Sequence, residues 1–316
     1  MKKLGKFLFC FVLFLLFPAV SQADGITLTL RGEEAVSWPC GIPYVDEGYT
    51  AQDLDGNDLS GAVRVSGEVD FLKCGEYVLR YSVTDGPGGS AEVCRTVKVS
   101  PVSLPEKHGK AEKTIYLTYD DGPSEYTEEL LDLLDEYDAK ATFFVINHAI
   151  EKRPEIIRAA FERGHSIGIH SNKHDYNYLY VSEENFLEDI SSVRELIFDL
   201  IGQRPDIFRF PGGSETAFRL ASNHIDGGFE TLKNDLADLG IEYFDWNDSA
   251  DPKGTSPTEA VFRIISSAEK RGSLVVILHD TRYSSIPATR RLLEMGAEKG
   301  FAFQSLDASV EAVQQK

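Results

Sequence analysis

The sequence has too few basic residues for a nucleic-acid-binding protein. Its 316 residues include 32 Lys and Arg but 51 Asp and Glu, which gives a formal net charge of −19. Binding to nucleic acid requires a basic patch, and an anionic membrane or polymer would also repel a surface of this charge. After the first segment the chain also lacks long hydrophobic runs, so it has no later candidate for a membrane span.

That first segment has the composition of a signal peptide. A start with three lysines precedes an unbroken apolar run from Phe7 to Val20, and small residues follow in Ser21-Gln22-Ala23. The run is short for a membrane span, so we predict a signal peptide over residues 1–23 with cleavage after Ala23. Cleavage removes the three lysines and changes the net charge from −19 to −22. Unless the leader stays uncleaved, we expect a soluble, secreted protein that is extracellular or in the cell envelope.

Cysteine is also scarce, with four residues in the whole chain. Cys10 belongs to the predicted leader, so the mature protein keeps Cys40, Cys74 and Cys94. The chain has no Cys-x-x-Cys spacing that would indicate a zinc site built from thiolates. An exported protein favours disulfide formation, and three thiols leave one over.

Residues 24–101 have the pattern of a small all-β domain. Alternating segments such as ITLTL, YVLRYSV and AEVCRTVKV are separated by the turn sequences DLDGND and TDGPGG. Short strands of this kind predict a β-sandwich. The stretches YVDEGYTAQDLDGNDLSGAV, GEVDFLKCGEYVLRYSVTDGPGG and RTVKV resemble the immunoglobulin-like domains of bacterial surface proteins, over nearly the whole segment.

The immunoglobulin-like resemblance implies where the cysteines lie. It places Cys40, near the first strand turn, and Cys74, in the turn before Tyr77, at the same end of the sandwich. We therefore expect a Cys40–Cys74 disulfide, with Cys94 left over. The polar, proline-containing residues 102–113 are predicted to form a linker.

From residue 114 to residue 316, short apolar segments alternate with longer amphipathic ones. Strands are predicted at TIYLTY, ATFFVI, SIGI, IFRF, IEYFDW, LVVILH and FAFQSL. Helical spacing appears between them, in SEYTEELLDLLDEY, RPEIIRAAFERG, SEENFLEDISSVRELIFDLIG, SPTEAVFRIISSAEKRG and PATRRLLEMGAEKG. These repeated units predict a mostly parallel sheet, and about 200 residues is small for a β/α barrel, which favours a distorted, incomplete barrel of about seven strands. Residues 214–230 are expected to form a loop that borders the cleft, or a disordered excursion.

Ionisable side chains follow five of the seven predicted strands. In β/α barrels the chemistry gathers where strands end and the βα loops begin. The groups are Asp120 and Asp121, His170 and His174, Arg209, Asp245, and His279 with Asp280. One histidine or arginine at a strand end is more often a structural hydrogen-bonding group than a catalyst, but five such ends on one rim predict an active site. No catalytic role is predicted for His108, His148, His165 and His224.

The ionisable residues at the five strand ends lie in five motifs. In order, these motifs resemble those of the polysaccharide deacetylases of carbohydrate esterase family 4. The motifs are TYDDGP at 118–123, HSNKH at 170–174, RFPGG at 209–213, FDW at 244–246 and LHD at 278–280. They span nearly all of residues 114–280. The resemblance implies a distorted β/α barrel that holds one divalent metal ion.

The same resemblance implies different roles for the two adjacent aspartates. Asp121, with His170 and His174, corresponds to the metal ligands. Two imidazoles and one carboxylate suit Zn²⁺, with Co²⁺ or another divalent ion as the alternative. Asp120 corresponds to the general base, and Arg209 to the residue that pairs with the base and orients it. Metal coordination would offset the repulsion between the two carboxylates, so both can ionise.

The remaining motif residues would complete a site for acyl transfer. Gly212 corresponds to the residue whose backbone N–H stabilises the oxyanion, although many relatives have tyrosine there. His279 corresponds to the general acid, and Asp245 to the carboxylate that keeps it protonated. The expected substrate-binding residues are Pro211, Trp246 and Leu278. For Trp246 and Leu278, packing in the core is an equally good explanation.

We therefore expect an exported, metal-dependent hydrolase that removes N-acetyl groups from a glycan and releases acetate. Peptidoglycan N-acetylglucosamine is the expected substrate class, and chitin oligomers come next. An O-acetyl esterase acting on xylan uses the same machinery and is the enzymatic alternative. A glycan-binding or adhesion protein with an inactive barrel is more remote, since the base, the ligands and the acid are all present. The expected partner is thus an acetylated cell-wall or chitin-like glycan, with no nucleic acid and no membrane span after cleavage.

Overall fold

The computed structural model describes residues 20–23, 25–85, 89–108, 111–250 and 256–316. Residues 1–19 of the predicted signal peptide, with Cys10, lie outside the described residues, whereas Val20–Ala23 form a strand. The chain divides between Ser100 and Pro101 into two compact units. Among the described helices, none is both long enough and apolar enough to cross a bilayer.

The N-terminal unit is a β-sandwich, which confirms the predicted immunoglobulin-like fold. Its described strands are β1 Val20–Ala23, β2 Ile26–Leu30, β3 Ala35–Pro39, β4 Tyr49–Gln52, β5 Arg64–Ser66, β6 Gly75–Asp85 and β7 Gly89–Ser100. One sheet has the order β1-β2-β4 and the other the order β3-β7-β6-β5. Alternate residues of β2, starting at Ile26, are buried and share one core cluster with Tyr81 and Val93 of the second sheet.

Within the described residues of this unit, no disulfide joins the cysteines. Cys40 is buried, and its Sγ lies 3.4 Å from the carbonyl oxygen of Leu72. Burial raises the pKa of the Tyr77 hydroxyl, and Cys40 and Cys74 are both close enough to raise it further. The two cysteines therefore lie near the same tyrosine, and the Cys40–Cys74 disulfide stays a prediction.

The C-terminal unit alternates strands and helices along the chain. The strands are β8 Thr114–Gly122, β9 Ala141–Ile146, β10 Ser166–Ser171, β11 Ile207–Phe208, β12 Glu242–Tyr243, β13 Asp248–Ser249, β14 Ser273–His279 and β15 Ala302–Phe303. The helices are α1 Thr127–Glu136, α2 Asn147–Lys152, α3 Pro154–Glu162, α4 Tyr176–Leu179, α5 Glu183–Ile201, α6 Gly213–His224, α7 Phe229–Asp238, α8 Pro257–Arg271 and α9 Ser285–Glu298.

All described strand pairs of this unit are parallel. The order is β12-β11-β10-β9-β8-β14-β13, and β15 pairs with the start of β8. The central strands β8 and β9 are buried along almost their whole length, as expected for a parallel sheet covered by helices. The predicted distorted, incomplete β/α barrel is confirmed, and its parallel strands bring their carboxyl ends to one edge.

The expectation of a loop or a disordered excursion over residues 214–230 is wrong. The chain forms helix α6 there and then begins α7. Ala217 and Ala221, four residues apart, are both fully buried, so this segment has one apolar stripe that packs inward. The stripe is narrow and made of small residues, so the sequence shows only a weak helical period here.

Residues of the predicted linker bond to the C-terminal unit. The Val102 N–H donates to the Asp238 carbonyl oxygen at 3.0 Å, and the His108 N–H donates to the Ser309 carbonyl oxygen at 2.8 Å. The boundaries predicted for the linker stay a prediction.

Candidate active site

The end of β8 separates two adjacent carboxylates. Asp121 has φ of +70°, and the register between β8 and β9 shifts between Asp120 and Gly122. A non-glycine residue with positive φ is uncommon and turns its side chain out of the regular strand alternation. Asp120 is therefore buried toward Arg209, whereas Asp121 faces two histidines.

The guanidinium of Arg209 is fully buried, and each of its nitrogen atoms donates a hydrogen bond. Nη1 donates to Asp120 Oδ1 at 2.9 Å and to Thr118 Oγ1 at 2.6 Å. Nε donates to the carbonyl oxygen of Phe244 at 2.9 Å, and Nη2 donates to that of Asp245 at 3.0 Å. The guanidinium also lies 4.3 Å above the ring of Phe144. Its charge is thus compensated and the Asp120 carboxylate is held in one orientation.

Asp121, His170 and His174 form a possible metal-binding triad. One donor atom from each residue lies within 4.8 Å of the other two. Asp121 Oδ1 is 3.4 Å from His170 Nε2 and 3.5 Å from His174 Nε2. The Nδ1–H of His170 donates to the carbonyl oxygen of Arg209 at 2.8 Å, which leaves Nε2 as the nitrogen with a lone pair for a metal.

Two properties of the triad fit a divalent cation. Asp121 Oδ1 is buried without a hydrogen-bond partner among the described residues, so a ligand other than a protein donor would satisfy it. Burial acts to raise the pKa of the Asp121 carboxyl, but the nearby imidazoles of His170, His174 and His279 outweigh it and lower that pKa to about 2. Burial, and then the neighbouring His170, lower the pKa of His174, which favours the neutral imidazole that binds metals.

Asp189 positions the second histidine, and the sequence analysis missed it. The residue lies on α5 and is fully buried. Its carboxylate accepts hydrogen bonds from the Ser171 hydroxyl and the Asn172 N–H at 2.8 Å and from the Lys173 N–H at 3.1 Å. Ser171 Oγ in turn accepts from the His174 N–H, which supports the unusual φ of +50° at His174. An acidic residue on the apolar face of a predicted helix was the available signal.

Asp280 holds the opposite side of the aspartate pair. Its N–H donates to the Asp120 carbonyl oxygen at 2.9 Å, and its buried carboxylate accepts from the Thr127 hydroxyl at 2.8 Å. A Cβ added at Gly122 would lie 2.1 Å from Asp280 Oδ2, so the residue after the aspartates has to be glycine. Asp280 is therefore a positioning residue rather than one that faces the cavity.

A cavity of about 620 Å³ opens over these groups. The lining residues are Asp120, Asp121, His170, His174, Tyr176, Gly212, Trp246, Ser249, Ile277 and His279. The structure thus brings together the predicted ligands, base, acid, oxyanion position and one predicted substrate contact. Because side chains alternate along β14, Ile277 and His279 face the cavity whereas Leu278 is fully buried elsewhere.

Asp245 and Pro211 do not line the cavity; they form hydrogen bonds with residues behind it. The Asp245 carboxylate accepts from the N–H and hydroxyl of Ser214 and from the Gln315 N–H. The Pro211 carbonyl oxygen accepts from the Tyr180 hydroxyl at 2.9 Å. Asp245 therefore supports the start of α6, and its predicted action on His279 stays a prediction.

The other histidines lie away from the cavity lining. His165 is buried, its Nδ1 accepts from the Ala141 N–H at 3.2 Å, and burial lowers its pKa to about 4. His108 forms an isolated β-bridge with Val310. His148 lies in α2, and His224 is the last residue of α6.

Comparisons with known proteins match a known domain in each unit of the chain. Residues 28–99 match the bacterial surface protein Ig-like domain, and residues 107–224 match the polysaccharide deacetylase domain. A peptidoglycan-N-acetylglucosamine deacetylase of Bacillus cereus is 32% identical over 200 residues, which cover 63% of this chain and 71% of that protein. The chain belongs to the polysaccharide deacetylase family.

Further relatives support this assignment, and the members of the family are hydrolases. A putative polysaccharide deacetylase of Bacillus subtilis is 31% identical over 216 residues, which cover 66% of this chain and 73% of that protein. The solved catalytic domain of a peptidoglycan N-acetylglucosamine deacetylase from Eubacterium rectale has a TM-score of 0.62 and 35% identity. That match covers 67% of this chain and 97% of the solved one.

Replacing Asp120 or Asp121 by asparagine should have different effects on bound metal and on activity. We expect Asp121→Asn to lose bound metal and activity together, because the change weakens a ligand. Asp120→Asn should keep the metal, and kcat should fall about 10²–10⁴-fold, because the amide cannot take a proton. Metal content and kcat are measured on the same preparations.

Thermal unfolding of both variants is the control, since Asp120 is the counter-charge of a buried arginine. If folded Asp120→Asn loses metal as readily as Asp121→Asn, the division of roles between the neighbours is wrong.

Proposed function

We propose that the protein is a metal-dependent deacetylase that hydrolyses N-acetyl groups of a glycan and releases acetate. The observation that carries the proposal is the convergence of Asp121, His170 and His174 in one cavity beside the arginine-paired Asp120. Two imidazoles and a carboxylate favour Zn²⁺, and Co²⁺ or another divalent ion is the alternative. When bound, such a cation supplies Lewis-acid polarisation of water and of the acyl oxygen.

The proposed base is Asp120. The hydrogen bond from Arg209 orients its carboxylate, and Asp120 lines the cavity beside the triad, where a water molecule can reach it. Asp120 takes a proton from this water as the oxygen attacks the acetyl carbonyl. The backbone N–H of Gly212, in the cavity wall, is proposed to donate to the carbonyl oxygen as negative charge develops there.

The proposed acid is His279. It ends β14 and lines the same cavity as the base. An amine leaves an acyl carbon only if its nitrogen is protonated as the bond breaks, so the reaction needs a second proton-transfer group. Protonated His279 supplies that proton to the sugar nitrogen, and free acetate and an amino sugar result.

The proposed substrate is peptidoglycan N-acetylglucosamine. Relatives at about one-third identity are named for that substrate, and a bacterial surface Ig-like domain precedes the enzyme domain. This supports a location in the cell envelope or outside the cell, reached through cleavage of residues 1–23. Chitin oligomers are the second candidate, and an O-acetyl ester of xylan is the third. The intact set of candidate ligands, base and acid argues against an inactive glycan-binding protein.

The purified protein should release acetate from peptidoglycan, because the site suits an acetyl amide and the relatives act on this polymer. Product masses on peptidoglycan, chito-oligomers and acetylxylan, measured with and without a chelator, identify the substrate. Chelation should abolish the release, and the added metal should restore it. Release from acetylxylan alone would favour the esterase, and no release from any of the three would favour a binding protein.

Replacing His279 tests which bond is cut. An aryl acetate has a leaving group that needs little protonation, whereas an amide nitrogen needs it. We expect His279→Ala to lower kcat/KM on a chito-oligomer about 10²–10⁴-fold and on an aryl acetate far less. Equal losses on both substrates would mean that His279 positions substrate or stabilises the oxyanion.

The front domain is proposed to contain a Cys40–Cys74 disulfide when the protein is exported. Both cysteines lie near Tyr77, and an oxidising compartment favours the bond. Peptide mass mapping of the secreted, non-reduced protein should find the two peptides linked, with Cys94 alkylated. A Cys40–Cys94 link would refute the pairing and leave the deacetylase proposal unaffected.

A further inference from the structure

Tyr176 is a cavity-lining residue to which the mechanism above assigns no role. It begins the short helix α4, two residues after the ligand His174, and 39% of its surface is exposed. The buried His170 lines the deep part of the same cavity, so Tyr176 lies nearer to the mouth. Within the described part of the chain its hydroxyl makes no hydrogen bond. The hydroxyl is therefore available to a bound molecule.

The Tyr176 hydroxyl lies directly over Gly212. A Cβ added at Gly212 would be 2.7 Å from Tyr176 Oη, closer than two such atoms approach. Gly212 also has φ of +76°, a conformation that disfavours a side chain. The wall of the cavity therefore has bare backbone at this position, and Tyr176, from the start of α4, fills the space above it.

Two aromatic contacts hold the Tyr176 ring in this place. Its centroid is 5.7 Å from that of His174 and 6.1 Å from that of Tyr180. The Tyr180 hydroxyl donates to the Pro211 carbonyl oxygen, next to Gly212. The ring thus lies between His174 and Gly212, the proposed oxyanion position. Because its neighbours fix it there, the ring is preorganised for a substrate contact.

We propose that Tyr176 positions the sugar that carries the acetyl group, through a hydrogen bond between its hydroxyl and a hydroxyl of that sugar. The inference rests on the proposed deacetylase function. An acetyl carbonyl bound beside the triad and Gly212 leaves its sugar toward the mouth, where Tyr176 Oη lies. The inference also explains why residue 212 is glycine, since a side chain there would displace the tyrosine hydroxyl.

Tyr176→Phe tests the contact because it keeps the ring and removes only the oxygen. We expect kcat/KM on an N-acetylated chito-oligomer to fall about fivefold to tenfold, mostly through KM, as for one neutral hydrogen bond. An aryl acetate has no sugar hydroxyl, so its kcat/KM should change less than about twofold on the same reasoning. Metal content should not change.

Tyr178→Phe is the matched control. Tyr178 is on the same helix, but its hydroxyl donates to Glu188 and it does not line the cavity, so both rates should stay unchanged. Equal losses of Tyr176→Phe on both substrates, or no loss on an oligomer that the wild type cleaves, would overturn the inference. A wild type that cleaves no glycan would instead refute the proposed function, and the inference with it.

A double-mutant cycle with Gly212→Ala tests the second half of the inference. The added Cβ displaces the tyrosine hydroxyl in the wild-type background, but most of that clash disappears in Tyr176→Phe. We expect the fold-loss in kcat/KM on the oligomer caused by Gly212→Ala to be at least about threefold smaller in the Tyr176→Phe background than in the wild type. The backbone strain at residue 212 is the same in both backgrounds, so it cancels in the cycle. Additive effects would show that residue 212 does not act through Tyr176.

Discussion

The buried charge of Arg209 is the interaction on which the rest of the site depends. A buried cation is tolerated only when a counter-charge and enough acceptors surround it. Asp120, a threonine hydroxyl and the carbonyl oxygens of Phe244 and Asp245 meet that need, and they tie together the ends of β8, β11 and β12. The carbonyl oxygen of Arg209 itself orients His170. One residue therefore determines both the orientation of the proposed base and which nitrogen of His170 faces the candidate triad.

Backbone strain gives the two neighbouring carboxylates their different surroundings. In a regular strand, the side chains of Asp120 and Asp121 would point to opposite faces of the sheet. One carboxylate could then not lie on the arginine while its neighbour lies on the two histidines. Positive φ at Asp121 and at His174 accompanies the convergence of these two members of the possible metal-binding triad. Hydrogen bonds from the rest of the fold, above all those accepted by buried Asp189, stabilise the strained loop that carries His174.

Much of this fold follows from local pattern, because β8, β9 and α5 have long apolar runs or long helical periods. The motif residues were predictable because parallel strands deliver their ends to one edge of the sheet. Contacts between elements distant in sequence were not. The bonds of Asp245 to Ser214 and Gln315 depend on where α6 and the C-terminal segment pack, and the alternation on β14 excludes Leu278 from the cavity in favour of Ile277.

Burial divides the site between chemistry and recognition. Asp120, Arg209 and His170 are almost fully buried and are fixed by hydrogen bonds to the sheet, so they can adjust little to different substrates. Tyr176, at the start of α4, and His279, at the end of β14, are partly open to solvent, where a polymer can reach them. Changes at the exposed positions can therefore alter which of the proposed glycans fits without disturbing the candidate triad and Asp120. Gly212 and Tyr176 lie where these two regions meet, so their contact would couple the proposed acetyl chemistry to the proposed sugar recognition.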